Sequence, residues 1–303
     1  MTDDARTGIP RPVSRETIGL VMGLVGVTIF GGTLPATRVA LAAFSPAFVT
    51  FGRAALAASL AAIVLVVLKR RFPRKDLKKL AFAGLMLVVG FPLLSSIAMR
   101  TVPAAHGGVV LGLLPLMTSI FATLFAGERP SPMFWVCGLV GAALVVAFAL
   151  RDGHMALSSG DVALFLASLA ASAGYVVSGV LARGMPGWEV ICWALVIVAP
   201  LSFAGAAVSA PVEWPGLENP AWLGFFYLGV GSMFLGFFAW NLGLGIGGIA
   251  RVSQVQLLQT FVTLAIASIV LGETITGETL AFAVAVVAVV ALGRRARIEK
   301  RRQ

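Results

Sequence analysis

The sequence predicts an all-α polytopic membrane protein of ten transmembrane helices, arranged as two inverted five-helix repeats. Three observations carry that prediction. Of 303 residues 59% are hydrophobic and only 12% charged, and the mean hydropathy is +0.97, well outside the range of soluble domains. Apolar runs near the ~20 residues a bilayer requires recur along the chain. The second half also repeats the first at a constant offset.

In order, the runs are Ile18 to Ala36, Pro46 to Leu68, Leu80 to Met99, Val102 to Phe125, Pro132 to Leu150, Val162 to Ala182, Trp188 to Ser209, Ala221 to Leu244, Val252 to Leu271 and Ile275 to Leu292. The first has spanning length and no clean cleavage site, so it is read as a retained helix and not as a signal peptide. The tenth is the weakest. Its uncharged stretch runs from Thr279 to Leu292, leaving Glu278 at one interface and Arg294 to snorkel at the other, and a nine-helix count stays open.

Ten spans put both termini on one side of the membrane. With the N-terminus in the cytoplasm, every Lys and Arg of the loops and tails except Arg38, Arg100 and Arg151 lies inside, while Arg53 falls within the second span. The positive-inside rule selects that orientation. The net charge of +10 is thus read as membrane anchoring, and no nucleic-acid partner is expected. Cys137 and Cys192 stand singly in apolar runs without metal or redox spacing and are read as packing residues.

The repeat pairs Gly127-Glu128 with Gly272-Glu273. The same offset pairs Ala105 with Ala250, Val110 with Val255, Leu113 with Leu258, Thr118 with Thr263 and Ala122 with Ala267, and also Glu16 with Asp161, Phe30 with Tyr175 and Arg38 with Arg183. The chain therefore divides into a cytoplasmic tail 1–17, repeats 18–150 and 161–293, and a basic cytoplasmic tail 294–303. Each repeat holds an odd number of spans, so the second enters the membrane from the opposite side. Inverted repeats offer a direct route to alternating access, because each half can take the conformation of the other.

Duplicated halves of short helices, a Gly-Glu closing the fourth and ninth spans, and "LLPLMTSIFATLFAGE" with Pro115 ahead of Glu128 resemble the drug/metabolite transporter superfamily. The likeness is to its EamA-type members, nearest to the YddG-like group of aromatic amino-acid exporters, and covers residues 18 to 293. Arg53 in "TFGRAAL" looks like the arginine this family often carries in its second span. The sequence departs from the pattern at Gln259-Thr260, where a proline is expected, and at Phe30-Gly31, where many members have Trp-Gly. The resemblance implies export of aromatic and other neutral amino acids across a bacterial inner membrane. It leaves other drugs or metabolites, such as nucleosides, as the alternative.

Polar residues inside a membrane tend to face a cavity or another helix. On the ninth span Ser253, Gln256, Gln259, Thr260 and Thr263 fall within about 120° of one another, a stripe read as a substrate pathway against the competing reading of interhelical hydrogen bonding. Phe30 and Thr33 on the first span, Tyr175 and Ser178 on the sixth, and Trp240 and Asn241 on the eighth complete the candidate substrate site. Trp188 and Trp222 are read as interface anchors. Arg53 is read as structural, snorkelling and bound to helix carbonyls, in preference to pairing with a carboxylate ligand.

Pro35, Pro92, Pro115 and Pro200 interrupt apolar spans and are expected to bend them, the first three as candidate hinges. Glu128 and Glu273 sit at helix ends and are read as gate or capping residues. His106 is weighed as a proton carrier and read in preference as a hydrogen-bonded structural residue. An enzyme would need convergent nucleophile, base or metal ligands, and no HExxH or acidic pair within a span is present. No catalytic residue, metal or cofactor is therefore expected. The expected partners are a small-molecule substrate and the lipid bilayer, for a monomer. A channel remains the rival from another class.

Overall fold

The computed structural model of the chain describes residues 14–126, 128–129, 132–150, 158–295 and 299–300. The expected tails thus fall partly outside the described residues, as does Gly127. Apart from an antiparallel pairing of Glu128–Arg129 with Glu299–Lys300, the regular structure among the described residues is helical. The rods are α1 (Arg15–Leu41), α2 (Pro46–Val67), α3 (Arg74–Ala98), α4 (Ala104–Phe125), α5 (Pro132–Leu150), α6 (Ser159–Leu181), α7 (Gly187–Val208) and α8 (Ala221–Gly247). They are followed by α9, which runs from Ile249–Val252 through a tight turn, Ser253–Gln256, into Leu257–Leu271, and by α10 (Gly277–Arg295).

Seven of these, α1 to α4 and α6 to α8, are long and apolar enough to cross a membrane. Shorter apolar stretches lie at Leu139–Phe148, Leu257–Leu271 and Gly277–Val289. Local chemistry fixes several starts. Ser14 accepts the Thr17 N–H, Ser45 accepts from Phe48 ahead of Pro46, and Ser158 and Asp161 form a reciprocal capping box on α6. Large apolar side chains such as Val66, Leu139, Leu223 and Ile269 project outward, each at least 75% exposed. Such an exterior suits lipid and not water.

Two close approaches hold the centre together. Gly19 and Gly23 on α1 meet Gly243 and Gly247 on α8; a Cβ on Gly243 would lie 2.8 Å from the Gly19 oxygen and from the Gly23 nitrogen. These are paired G-x-x-x-G faces, which let helix backbones touch where lipid supplies no hydrophobic drive. The second approach joins repeat mates. Gly108 of α4 lies beside Thr263 of α9 and Gly112 beside Thr260, so α4 and α9 run antiparallel, as inversion of the second repeat requires.

Several rods are broken near their middles. α1 turns at Gly32, and Pro35, lacking an N–H, leaves the Gly31 carbonyl without its intrahelical donor. Thr263 Oγ1 of α9 donates to that carbonyl at 2.9 Å, and the Tyr227 hydroxyl of α8 donates to the Ile29 carbonyl at 2.6 Å. A wide π-type turn, Leu85–Gly90, precedes Pro92 in α3, and a tight 3-10 turn, Leu111–Leu113, precedes Pro115 in α4. The three expected hinges thus lie at interruptions of the regular helix, and Pro200 lies inside α7.

Polar ties close both ends of the bundle. At one, Glu273 after α9 accepts the backbone N–H of Ala104 at 2.9 Å and of Ala105 at 2.8 Å, with Arg38 Nη1 3.7 Å from the same carboxylate. At the other, Arg70 donates to Glu189 through Nε at 2.9 Å and also through Nη2, and its guanidinium lies 5.6 Å from the Trp188 ring. The Glu189 carboxylate, by hydrogen bond and by charge, holds the Arg70 guanidinium above its ordinary pKa.

Candidate functional site

The interrupted middles of α1 and α3 and the wide turn Tyr227–Gly236 within α8 surround one buried cavity together with α2, α6 and α9. Phe30, Tyr175, Phe237 and Trp240 meet there from α1, α6 and α8. Phe30 lies 4.9 Å from Phe237, 6.1 Å from Trp240 and 6.4 Å from Tyr175, ring centre to ring centre. Tyr175 lies 5.5 Å from Trp240 and 6.1 Å from Phe237. These are the separations at which aromatic rings attract edge-to-face and offset. Trp240 can come so close because α1 offers Gly26 there, where a Cβ would stand 3.0 Å from that of Trp240.

Phe30, Tyr175 and Phe237 line the cavity, with Leu87, Phe91 and Met233 completing its apolar wall. Its polar wall is Thr33, Ser232, Gln259 and Arg53. Thr33 and Ser232 share a hydrogen bond of 2.9 Å between α1 and α8, while Gln259 Oε1 has no hydrogen-bond partner in the protein. The cavity has a volume of about 20 Å³. That is room for one or two waters and too little for an amino acid. A wider hollow of about 370 Å³ lies between α3, α4 and α6, lined by Lys78, Lys79, Phe82, Phe125 and three valines of α6. Tyr175 faces the first hollow and Val176, Val177 and Val180 the second, so α6 is the wall between them.

The expected residues therefore separate into groups. Phe30, Thr33, Tyr175 and Gln259 line the cavity, and Trp240 packs on its aromatic rings. Ser178, Asn241, Gln256, Thr260 and Thr263 are buried but are not part of the lining. Asn241 Nδ2 instead donates to the Gly187 carbonyl at 3.2 Å, tying α8 to the start of α7. Thr263 serves the freed Gly31 carbonyl. Within the stripe of α9, then, Gln259 is the member that reaches the cavity, and Thr263 joins helices. Gln256 has neither amide atom partnered.

His106 Nε2 stands 2.8 Å from Asp161 Oδ1, both side chains under 10% exposed, and its ring lies 4.6 Å from Phe148. This pair joins α4 to α6 at the Glu273 end, away from the cavity lining. The Glu128 side chain lies outside the described residues; its backbone pairs with the C-terminal strand.

Residues 17–151 and 158–293 each match the model of the EamA-like transporter family. The chain belongs to that family. Two EamA units in tandem account for the internal repeat and make this a multi-pass membrane protein of transporter descent. Among EamA relatives, it is 40% identical over 284 residues to the uncharacterized transporter YdeK of Bacillus subtilis, covering 93% of this chain and 99% of YdeK. It is 28% identical over 155 residues to the aromatic amino acid exporter YddG of Ancylobacter novellus, covering 50% of this chain and 53% of that one. A solved crystal structure superposes with a TM-score of 0.66 at 21% identity, over 90% of this chain and 95% of the other, a likeness that speaks to the fold.

Sequence reasoning missed two features of the site. Phe237 was legible, since it stands three residues before Trp240 and so shares its helical face. Arg53 was set aside as a structural residue bound to carbonyls. It is 2% exposed, lines the cavity, and its Nε and Nη1 have no hydrogen-bond partner in the protein.

Proposed function

We propose that this EamA transporter exports small neutral metabolites, aromatic and other neutral amino acids foremost, by alternating access of two inverted five-helix repeats. The observation that carries the proposal is the aromatic cluster of Phe30, Tyr175, Phe237 and Trp240 beside the unpartnered Gln259 oxygen, at the buried crossing of the repeats. Aromatic faces take an apolar or aromatic side chain, and an amide oxygen accepts from an ammonium. In this reading the shorter apolar stretches also cross the membrane, giving ten spans. The positive-inside rule then puts both termini and Arg70 in the cytoplasm of a bacterial inner membrane, and Glu273 outside.

The test is counterflow in proteoliposomes across a panel of phenylalanine, tryptophan, threonine, methionine and nucleosides. Saturable exchange of the amino acids is expected, and exchange of nucleosides alone would overturn the substrate class. Flux that never saturates would mark a channel. Gln259→Ala removes a buried acceptor, a loss that typically costs about 1–3 kcal/mol, so phenylalanine transport should weaken roughly tenfold or more. Gln256→Ala, outside the lining, should change it less.

The proposal includes transport down the substrate's own gradient. No Asp or Glu is among the cavity's lining residues, and the buried His106–Asp161 pair lies at a helix end. An imposed pH gradient should therefore not drive uphill accumulation. Accumulation that is abolished by His106→Ala would refute uniport and make that pair the proton site.

A further inference from the structure

We infer that Arg53 is the group that selects the substrate, by binding its carboxylate. The inference rests on the export reading and narrows it to carboxylate-bearing substrates. Arg53 is among the largest fully buried side chains of the chain. A guanidinium stays charged in proteins and carries five N–H donors in a planar fork. Buried, it demands an anion or a set of carbonyls, because an uncompensated charge in a low-dielectric interior is strongly unfavourable.

The protein supplies neither to Nε or Nη1. Around the cavity stand Phe30 and Thr33 from α1, Leu87 and Phe91 from α3, Tyr175 from α6, Ser232, Met233 and Phe237 from α8, and Gln259 from α9. None of them is acidic. Nor can Arg53 reach water by snorkelling at 2% exposure. Water inside the cavity can accept from these N–H groups but brings no counter-charge, whereas a ligand with its own negative charge supplies both. The polar wall then reads as a zwitterion template: Arg53 takes the carboxylate, the free Gln259 oxygen takes the ammonium, and the rings of Phe30, Tyr175 and Phe237 take the side chain. A planar fork facing a planar carboxylate is the pairing that makes arginine, and not lysine, the residue of choice.

The test uses the purified full chain and three probes that keep the ring: phenylalanine, phenylalaninamide and 2-phenylethylamine. The second neutralises the carboxylate and the third lacks it. On the wild type, phenylalanine should raise the melting temperature and compete for counterflow at a concentration about tenfold or more below that needed by the other two. Arg53→Gln should erase that preference, and Arg53→Lys should keep part of it, since an ammonium provides charge without the fork. Equal thermal stabilisation of the wild type by all three probes, or none by phenylalanine, overturns the role of Arg53. This comparison needs no variant, so misfolding of Arg53→Gln cannot obscure it. The export reading fails separately, if phenylalanine stabilises the protein yet no amino acid shows saturable flux.

Discussion

Gly243→Leu should remove most of the folded protein from the membrane, while Gly184→Ala should leave the amount unchanged. At Gly243 any Cβ stands 2.8 Å from two backbone atoms of α1, and backbone cannot step aside as a side-chain tip can. The same crossing includes Gly19, whose Cβ would lie 2.5 Å from the Gly247 Cα. Leucine would force α1 from α8 along the contact that also seats Trp240 on Gly26. Overpacking of this kind costs typically about 1–3 kcal/mol and occasionally more. Here it strikes the joint between the repeats, so the upper end is expected. At Gly184 the nearest atom to an added Cβ is 3.8 Å away, an ordinary contact. Fluorescence-detected size exclusion of tagged variants measures both. A monodisperse Gly243→Leu peak at wild-type height would show that the close crossing does not hold the bundle together.

The helices were legible because lipid imposes a uniform rule on them. The expected Pro132 to Leu150 is the observed α5, Pro132–Leu150, and the other expected bounds fall within a few residues of the observed ones. What the expectation shortened were polar or charged ends: α1 continues past Ala36 to Leu41 and carries Arg38, and α3 begins back at Arg74. The aromatic part of the candidate site was legible through the repeat, since Phe30 and Tyr175 are mates at the common offset and their rings lie 6.4 Å apart in the fold. The polar part was not. A helical-wheel stripe says that Gln259 and Thr263 face inward together, but not that one meets a cavity and the other a carbonyl freed by a proline on another helix. That Arg53 borders the cavity with two nitrogens unpartnered was not legible, because its surroundings depend on five other helices. The G-x-x-x-G pairs at Gly19 and Gly243 were visible in the sequence and went unread among the 34 glycines.

Glu273→Ala should open the proposed outer side, exposing the cavity to reagents that cannot cross the membrane. The reason is the latch at that end. One carboxylate accepts two backbone N–H groups from the first turn of α4, donors that α4 itself cannot satisfy and that carry the positive end of its dipole. Hydrogen bonds to a charged group contribute about 1.5–3 kcal/mol each, and water replaces part of that on opening. A net loss near 1.4 kcal/mol already shifts a two-state population about tenfold. The readout is labelling of Thr33→Cys by an impermeant thiol reagent, with Cys137 and Cys192 replaced, and labelling from outside should rise by about that factor. The repeat makes the argument sharper. Its offset pairs Ala104 and Ala105 with Ile249 and Ala250, and Glu273 with Glu128, so the opposite conformation should be latched by Glu128 on the start of α9. Glu128→Ala should then lower labelling from outside, because it weakens the state in which that side is open. A shift in the same direction for both variants would mean that the two glutamates are not mirror-related latches.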